Sequence, residues 1–317
     1  MASLTYDSIN ATTRTRFIPA LRDQIFQQNY LFWKLLKGAD MGAARDGGTK
    51  VLEPLEYAKN TYIGAYAAGA QLTYGAVATF TAAEFNWCRY RGTSYIEGLE
   101  ELEYRGAARV IDFMAAKMKN TAQAMADDMA TDMFSDGTGD ANGFVGLAAM
   151  IDDGTNIGAY GGITPRSTYV WWKSYYADKG AGAFALTNWR ALITGTRVNN
   201  EQPTLLVTTQ AELDAYENIL LGATPTFSLT TMTQMTELDG GFKAYLFRGI
   251  PMIWDSHMSA NRIYALNTNY IHFRVIQDFT SKGWQRPVDY DVLVHHTLWK
   301  GALTGSGCRF QGQLRHT

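Results

Sequence analysis

The sequence predicts a mixed α+β protein, and three observations carry that expectation. An alternating, aromatic-rich stretch occupies residues 50–90, apolar residues recur at helical spacing through residues 94–135, and strand-like runs dominate from Gly241 onward. With 317 residues the chain can bury one large core or two medium ones. Its 46% hydrophobic and 18% charged residues are an ordinary globular composition.

Residues 1–45 combine polar Thr, Ser and Asn with an amphipathic patch, "PALRDQIFQQNYLFWKLLKGA", where Leu21, Ile25, Phe26, Phe32, Leu35 and Leu36 fall near helical spacing. Such a segment reads as an arm that needs a surface to lie on. Seven basic against four acidic side chains give residues 1–50 a charge of +3, leaving −5 in the remainder and −2 overall. No global field therefore draws the protein onto nucleic acid or an anionic membrane, and any DNA contact must be local.

From Lys50 to Tyr90 the segments "KVLEPLEYAKNTYIGAYAAGAQLTYG" and "ATFTAAEFNWCRYRG" alternate, with glycines at 64, 69 and 75. This predicts a two-stranded ribbon with a pliable tip. A ribbon alone is marginal in water, so its apolar face must pack on something else.

Ser94-Tyr95-Ile96-Glu97 has capping-box spacing and predicts the start of a long helix, with Glu97, Glu100, Glu101 and Glu103 near the positive end of its dipole. Ala107, Ile111, Met114, Met118, Ala122, Met125, Met129 and Met133 continue as one stripe, read as a packing face in preference to a cofactor box. Gly137 and Gly139 in "FSDGTGDANG" end it. From Ser94 to Ser135 the helix would span roughly 60 Å, more than a compact core needs.

Beyond it, "YGGITPRSTYVWWKSYY" predicts a turn followed by an aromatic strand with Trp171 and Trp172 on opposite faces. A helix should open near Thr187, and "QPTLLVTTQAELDAYENIL" reads as a buried strand and a helix capped by Thr208 or Thr209. The last quarter supplies the runs "FKAYLFRGIPMIW", "RIYALNTNYIHFRV" and "DVLVHHTLWKGALTGSGCRFQGQL". Strand then helix in mid-chain, followed by long terminal strands, makes the middle a mixed α/β module.

Catalytic signatures are missing. The sequence contains no P-loop, no G-x-S-x-G elbow and no H-E-x-x-H pair. Asp136 to Gly143 has a calcium-loop look, but matching its glycine places Ala149 where a bidentate carboxylate belongs. The five histidines, 257, 272, 295, 296 and 316, invite a metal reading, yet adjacent His295 and His296 in a strand point to opposite faces, and a structural role is preferred. Two cysteines, Cys88 and Cys308, make neither a disulfide framework nor a zinc site, and fit a reducing compartment. The N-terminus lacks a signal-peptide core, and no apolar run reaches membrane-spanning length. The expectation is a protein that is no enzyme and holds no cofactor or metal.

The order of elements, together with "YGGITPRSTYVWW", "LITGTRVNNEQPTLLVTTQAELDAYENIL" and "FRGIPMIWDSHMSANRIYALNTNYIHFRV", resembles the major capsid proteins of tailed bacteriophages with the Hong Kong 97-type fold, from about Arg14 to the C-terminus. The resemblance implies parts: an N-terminal arm at 1–45, an extended β-hairpin loop at 46–92, a peripheral domain with a spine helix at 93–139, an axial α/β domain at 140–261 and return strands at 262–317, mainly in the peripheral domain. The turn from Trp254 to Asn261 would then be where the chain leaves the axial domain, and His272 a sheet residue without chemistry.

The same resemblance implies an icosahedral shell of hexamers and pentamers enclosing a genome, found in the virion and assembled in the host cytoplasm. Implied partners are a separate scaffolding protein, a portal protein, a decoration or cement protein and packaged dsDNA held without sequence preference; no membrane is implied. The scaffolding expectation rests on this chain starting almost directly with the arm, without the extension that some relatives carry. Some relatives crosslink neighbours through a buried C-terminal glutamate, and here none follows Glu237, which implies no crosslinking. Inter-subunit contacts are expected from Tyr57, Tyr62 and Tyr66 in the loop and Arg14, Arg16 and Arg22 in the arm. Two other readings stay open: an encapsulin-like shell housing an enzyme, and a carbohydrate-active enzyme or lectin, suggested by 8 tryptophans and 18 tyrosines and by a carboxylate pair such as Glu53 with Asp289.

Overall fold

The computed structural model describes residues 29–39, 48–103, 107–182, 184–223, 235–238 and 243–316. Of the arm, Arg14, Arg16, Arg22 and the apolar positions 21, 25 and 26 lie outside the described residues. Its described part forms helix α1, Tyr30–Lys37, capped by the Asn29 side chain, which accepts from Phe32 N at 3.0 Å. Tyr30, Leu31, Phe32, Leu35 and Leu36 are all buried, so this helix has its surface within the chain itself.

The expected ribbon forms from β1, Lys50–Glu56, paired antiparallel with β2, Phe80–Asn86. Strict alternation turns Val51, Glu53 and Leu55 inward. Pro54, which cannot donate to a ladder, points outward opposite Ala82 of β2.

A three-stranded antiparallel sheet is the second unit, ordered β10, Ile271–Gln285, then β11, Val292–Gly305, then β3, Cys88–Glu97. Here the capping-box expectation fails. Ser94 and Glu97 belong to β3, which pairs with β11 over its whole length, and Ser94 Oγ lies 2.6 Å from Thr121 Oγ1 instead of capping a helix. The helix begins four residues after Ser94 as α2, Gly98–Glu103, where Glu97 N donates to the Glu100 carboxylate at 3.3 Å. A run of ten residues able to pair with a central strand outweighs one local cap worth about 1 kcal/mol.

Helix α3, Ala107–Met133, is 27 residues and about 40 Å long. Its methionine stripe is a packing face. Met114 and Met118 meet Ile96, Trp284 and Leu293, while Met125, Met129 and Met133 join the main core with Phe144, Phe273 and Trp299. Gly92 on β3 allows the close approach, since a Cβ there would lie 2.8 Å from Thr121 Cγ2 and 3.4 Å from Met125 Sδ.

The third unit is a seven-stranded mixed sheet. Its strands are β4, Tyr175–Asp178; β5, Leu205–Thr208; β6, Met235–Glu237; β7, Lys243–Phe247; β8, Ile250–Trp254; β9, Arg262–Leu266; and β12, Gly312–Arg315. They run in the order β4-β12-β9-β5-β8-β7-β6, with β4–β12 and β5–β8 parallel. Between β3 and this sheet the one-turn helix α4, Leu147–Met150, follows α3; α5, Leu186–Thr196, and α6, Gln210–Ala223, accompany the sheet. Trp189, Leu192, Leu213 and Tyr216 of these helices form a core with Phe247, Met252, Ile263 and Leu314.

Helix α6 opens where the sequence predicts, but neither the Thr208 nor the Thr209 hydroxyl has a hydrogen-bond partner; Thr209 takes part through its carbonyl, accepting from Leu213 N at 3.2 Å. The turn from Trp254 to Asn261 does not take the chain out of this sheet, because β8 and β9 both lie in it. The crossing comes at Asn267–Tyr270, and β12 later returns from the three-stranded sheet.

Trp171 and Trp172 lie in a turn, not a strand. Trp172 is buried and donates from Nε1 to Tyr160 O at 3.0 Å, so no tryptophan pair is presented to a sugar. Arg166 holds this region together without a carboxylate. Its buried guanidinium donates to Trp172 O at 3.1 Å, Ala149 O at 2.6 Å, Ser174 Oγ at 3.1 Å and Met150 O. Four neutral acceptors spread the charge of a group fully removed from water.

Candidate assembly surface

The ribbon is pinned from below. Glu53, buried between Val51 and Leu55, accepts from Arg274 Nε at 2.6 Å and Nη2 at 2.9 Å on β10, and from Thr304 Oγ1 at 2.8 Å on β11. Burial works against its charge, but the Arg274 and Thr304 hydrogen bonds outweigh it and hold the carboxyl below its usual range. Sequence reasoning missed this role. The available signal was an acid in the inward register of an otherwise apolar strand face.

Beyond Glu56 and before Phe80 the chain forms a long exposed loop, and most of its large apolar side chains find no cover. Tyr62, Ile63, Tyr66, Leu72 and Tyr74 are exposed, and Phe80 is 72% exposed at the loop's return. Tyr57 differs from the other two predicted contact tyrosines, because it stacks on Trp171 of its own chain with ring centres 5.1 Å apart. An apolar stretch of this extent left in solvent is the mark of a surface meant for a partner.

The histidines are structural by geometry. His295 is buried against Trp284 with its Nε2 2.7 Å from Ser281 Oγ, and burial first, then the neighbouring His296, pulls it down to about 4. His296 faces the other way, with Nδ1 3.0 Å from Thr93 Oγ1. His257 sits 3.1 Å from Asp255, His272 3.4 Å from Ser306 Oγ, and His316 2.7 Å from Glu212. Among the described residues no group of three or more His, Cys, Asp or Glu is placed to hold a metal ion. In the calcium-like turn, Asp136 Oδ1 accepts from the amide and hydroxyl of Thr138.

Glu53 and Asp289 are not brought together. Glu53 lies under the ribbon beside Arg274, while Asp289 is exposed in the turn at the far end of the β10–β11 hairpin. Cys88 and Cys308 are free, buried thiols, each pushed up to about 12 by burial. No described helix is long and apolar enough to cross a membrane.

Solved structures with this arrangement exist. The chain matches a cyanophage A-1(L) capsid protein at 14% identity and a TM-score of 0.57, over 84% of this chain and 88% of that one. It matches the capsid of the native GTA particle at 11% identity and a TM-score of 0.58, over 88% and 91% of the two chains. The Hong Kong 97-type capsid fold is the fold of this chain. A match to the SrpI encapsulin of Synechococcus elongatus, at 8% identity and a TM-score of 0.56 over 83% of this chain and 81% of that one, has the same fold around a different kind of shell. No family model and no curated protein sequence matches the chain. The likeness is thus one of overall fold, and this chain realises it as a loop-bearing ribbon fixed to one sheet, a long helix against that sheet, and a second, mixed sheet.

Proposed function

We propose that this chain is the major capsid protein of a tailed dsDNA bacteriophage, building an icosahedral shell of hexamers and pentamers around the genome and performing no catalysis. The observation that carries the reading is the ribbon with its exposed apolar loop on a Hong Kong 97-type fold: surface that a lone chain leaves wet and a shell of interlocked copies would cover. In this reading residues 46–92 are the extended loop, α3 is the spine of a peripheral domain and the seven-stranded sheet is the body of an axial domain. Tyr62 and Tyr66 would contact a neighbour directly, and Tyr57 would brace the loop base against Trp171. Arg14, Arg16 and Arg22 would contact neighbours or phosphates of packaged DNA. A scaffolding protein, a portal and a decoration protein complete the partners, in a virion assembled in the host cytoplasm.

A second reading, an encapsulin-like compartment, is favoured by the likeness to the SrpI shell. Particle contents separate the two. Purified particles whose cargo is nuclease-protected dsDNA support the capsid reading; particles filled with a folded enzyme and free of DNA support the compartment.

A further inference from the structure

The three-stranded sheet has α3 on one face, against which Gly92 and Ser94 pack. On its other face the ribbon covers only one end, where Glu53 reaches Arg274 and Thr304. The uncovered length is polarised. At its start, Arg89 and Arg91 are exposed on β3, and Arg89 lies directly opposite Lys300 on β11. Like charges facing each other across a ladder destabilise it, and none of the three meets a carboxylate among the described side chains. The nearby acids Asp132 and Asp140 belong to α3 and the turn after it, where Asp132 accepts from Tyr90 and Asp140 from an amide.

About 27 Å along the same strand the sign reverses, eight residues on at the rise of an extended chain. Glu97, Glu100, Glu101 and Glu103 crowd the β3–α2 junction, and Asp289 and Asp291 lie in the adjoining β10–β11 turn. Lys117 pairs with Glu100 at 3.4 Å, and Arg286 serves both Glu101 and Asp291. Glu97, Glu103 and Asp289 meet no cation among the described side chains. Between these acids stand four exposed apolar side chains: Tyr95, Leu99, Val288 and Tyr290, the third fully exposed at 100%. An apolar centre with a polar rim in which six acids outnumber the cations Lys117 and Arg286 has the anatomy of an interface.

We propose that the acidic end of this sheet docks on the Arg89–Arg91–Lys300 strip of a second copy of the chain, a head-to-tail contact that repeats around a ring. The two ends are different surfaces on one rigid sheet with opposite charge, which is the requirement for a heterologous contact that closes by rotation. The inference rests on the shell reading and adds to it the residues that set the contact's direction.

The test uses the full chain and counts shells by electron microscopy. R89E/R91E and E97R/E103R should each lower the shell yield at least tenfold, and R89Q/R91Q by less, with thermal unfolding of the soluble R89E/R91E chain no lower than wild type, because the new carboxylate would face Lys300 across the ladder. The quadruple variant, R89E/R91E/E97R/E103R, makes the two ends complementary again and should restore shells. Double variants that assemble like the wild type would overturn the proposal, as would a folded quadruple variant that assembles no better than the doubles. Normal shells of R89E/R91E that have lost their DNA would reassign the strip to nucleic acid. A wild-type chain that forms no shells with or without a co-expressed scaffolding protein would remove the shell reading itself, a result distinct from all of these.

Discussion

Arg274 grips Glu53 across 221 residues of sequence, with Nε 2.6 Å and Nη2 2.9 Å from its carboxylate. This pair fastens the ribbon to the β10–β11 hairpin of the three-stranded sheet, so the position of the exposed loop is set by an ion pair that the loop itself does not contain. Thr304 supplies a third hydrogen bond, which leaves the buried acid well satisfied.

Removing either partner should therefore be costly, and unequally so. Glu53→Gln keeps the shape and loses the charge, and should cost about 2 kcal/mol in urea unfolding. Arg274→Met strands a buried carboxylate and should cost about 3 kcal/mol or more at pH 7. The pH response should invert as well. In the wild type the Glu53 carboxyl is held below its ordinary range, so its contribution is present above that range and lost as pH falls through the lowered value. Without Arg274, burial opposes the remaining Thr304 hydrogen bond and the carboxyl should move up from its wild-type position, so the variant should gain stability relative to wild type on acidification.

His295 gives a second, separable pH effect. Its imidazole titrates at about 4 in the fold against 6.5 ordinarily, so an unfolded chain takes up a proton that the folded chain refuses. Stability should be full above pH 6.5, decline as pH falls from there toward 4, and owe about 3 kcal/mol of loss to this residue. His295→Gln, which retains a partner for Ser281, should flatten the decline in that window while leaving the more acidic limb in place.

Close contact of α3 with β3 depends on Gly92. Gly92→Val must push its branches into Thr121 and Met125, and should lower stability by about 1–3 kcal/mol in thermal or urea unfolding. An unchanged midpoint would mean that α3 can move away at no cost, against the packing described.

For the loop the expectation is the reverse: a large effect on assembly with little on the fold. Replacing Ile63, Tyr66, Leu72 and Tyr74 by serine touches no buried surface of the lone chain and should leave its unfolding within about 0.5 kcal/mol of wild type per site. Shell formation by the same variant should fail, as seen by light scattering and microscopy.

How far the fold could be read in advance follows from where the information lies. The ribbon and the methionine stripe were legible because their periods are local: Val51, Glu53 and Leu55 alternate, and Met114 to Met133 recur every three or four residues. The start of the helix was misread because Ser94 carries a valid local cap signal, while the β11 ladder that claims it comes from Val292–Gly301, two hundred residues away. That β9 and β12 join the seven-stranded sheet and not the three-stranded one was illegible for the same reason, since membership of a sheet depends on partners and not on the strand's own residues. Glu53 was named only as half of a catalytic pair; its true partner, Arg274, carries no mark in sequence that distinguishes it from other surface arginines. The exposure of Tyr62 and Tyr66 was legible from their place in a glycine-rich tip, yet nothing local foretold that Tyr57 would turn back onto Trp171.

The central claim, that the Hong Kong 97-type chain forms a closed shell through its ribbon and loop, is tested most directly by cryo-electron microscopy of the purified full chain with and without co-expressed neighbouring phage proteins. The account predicts closed icosahedral particles in which density for residues 57–79 of each copy lies against another copy. A population that stays monomeric under every condition, or shells in which that loop projects free into solvent, would contradict it.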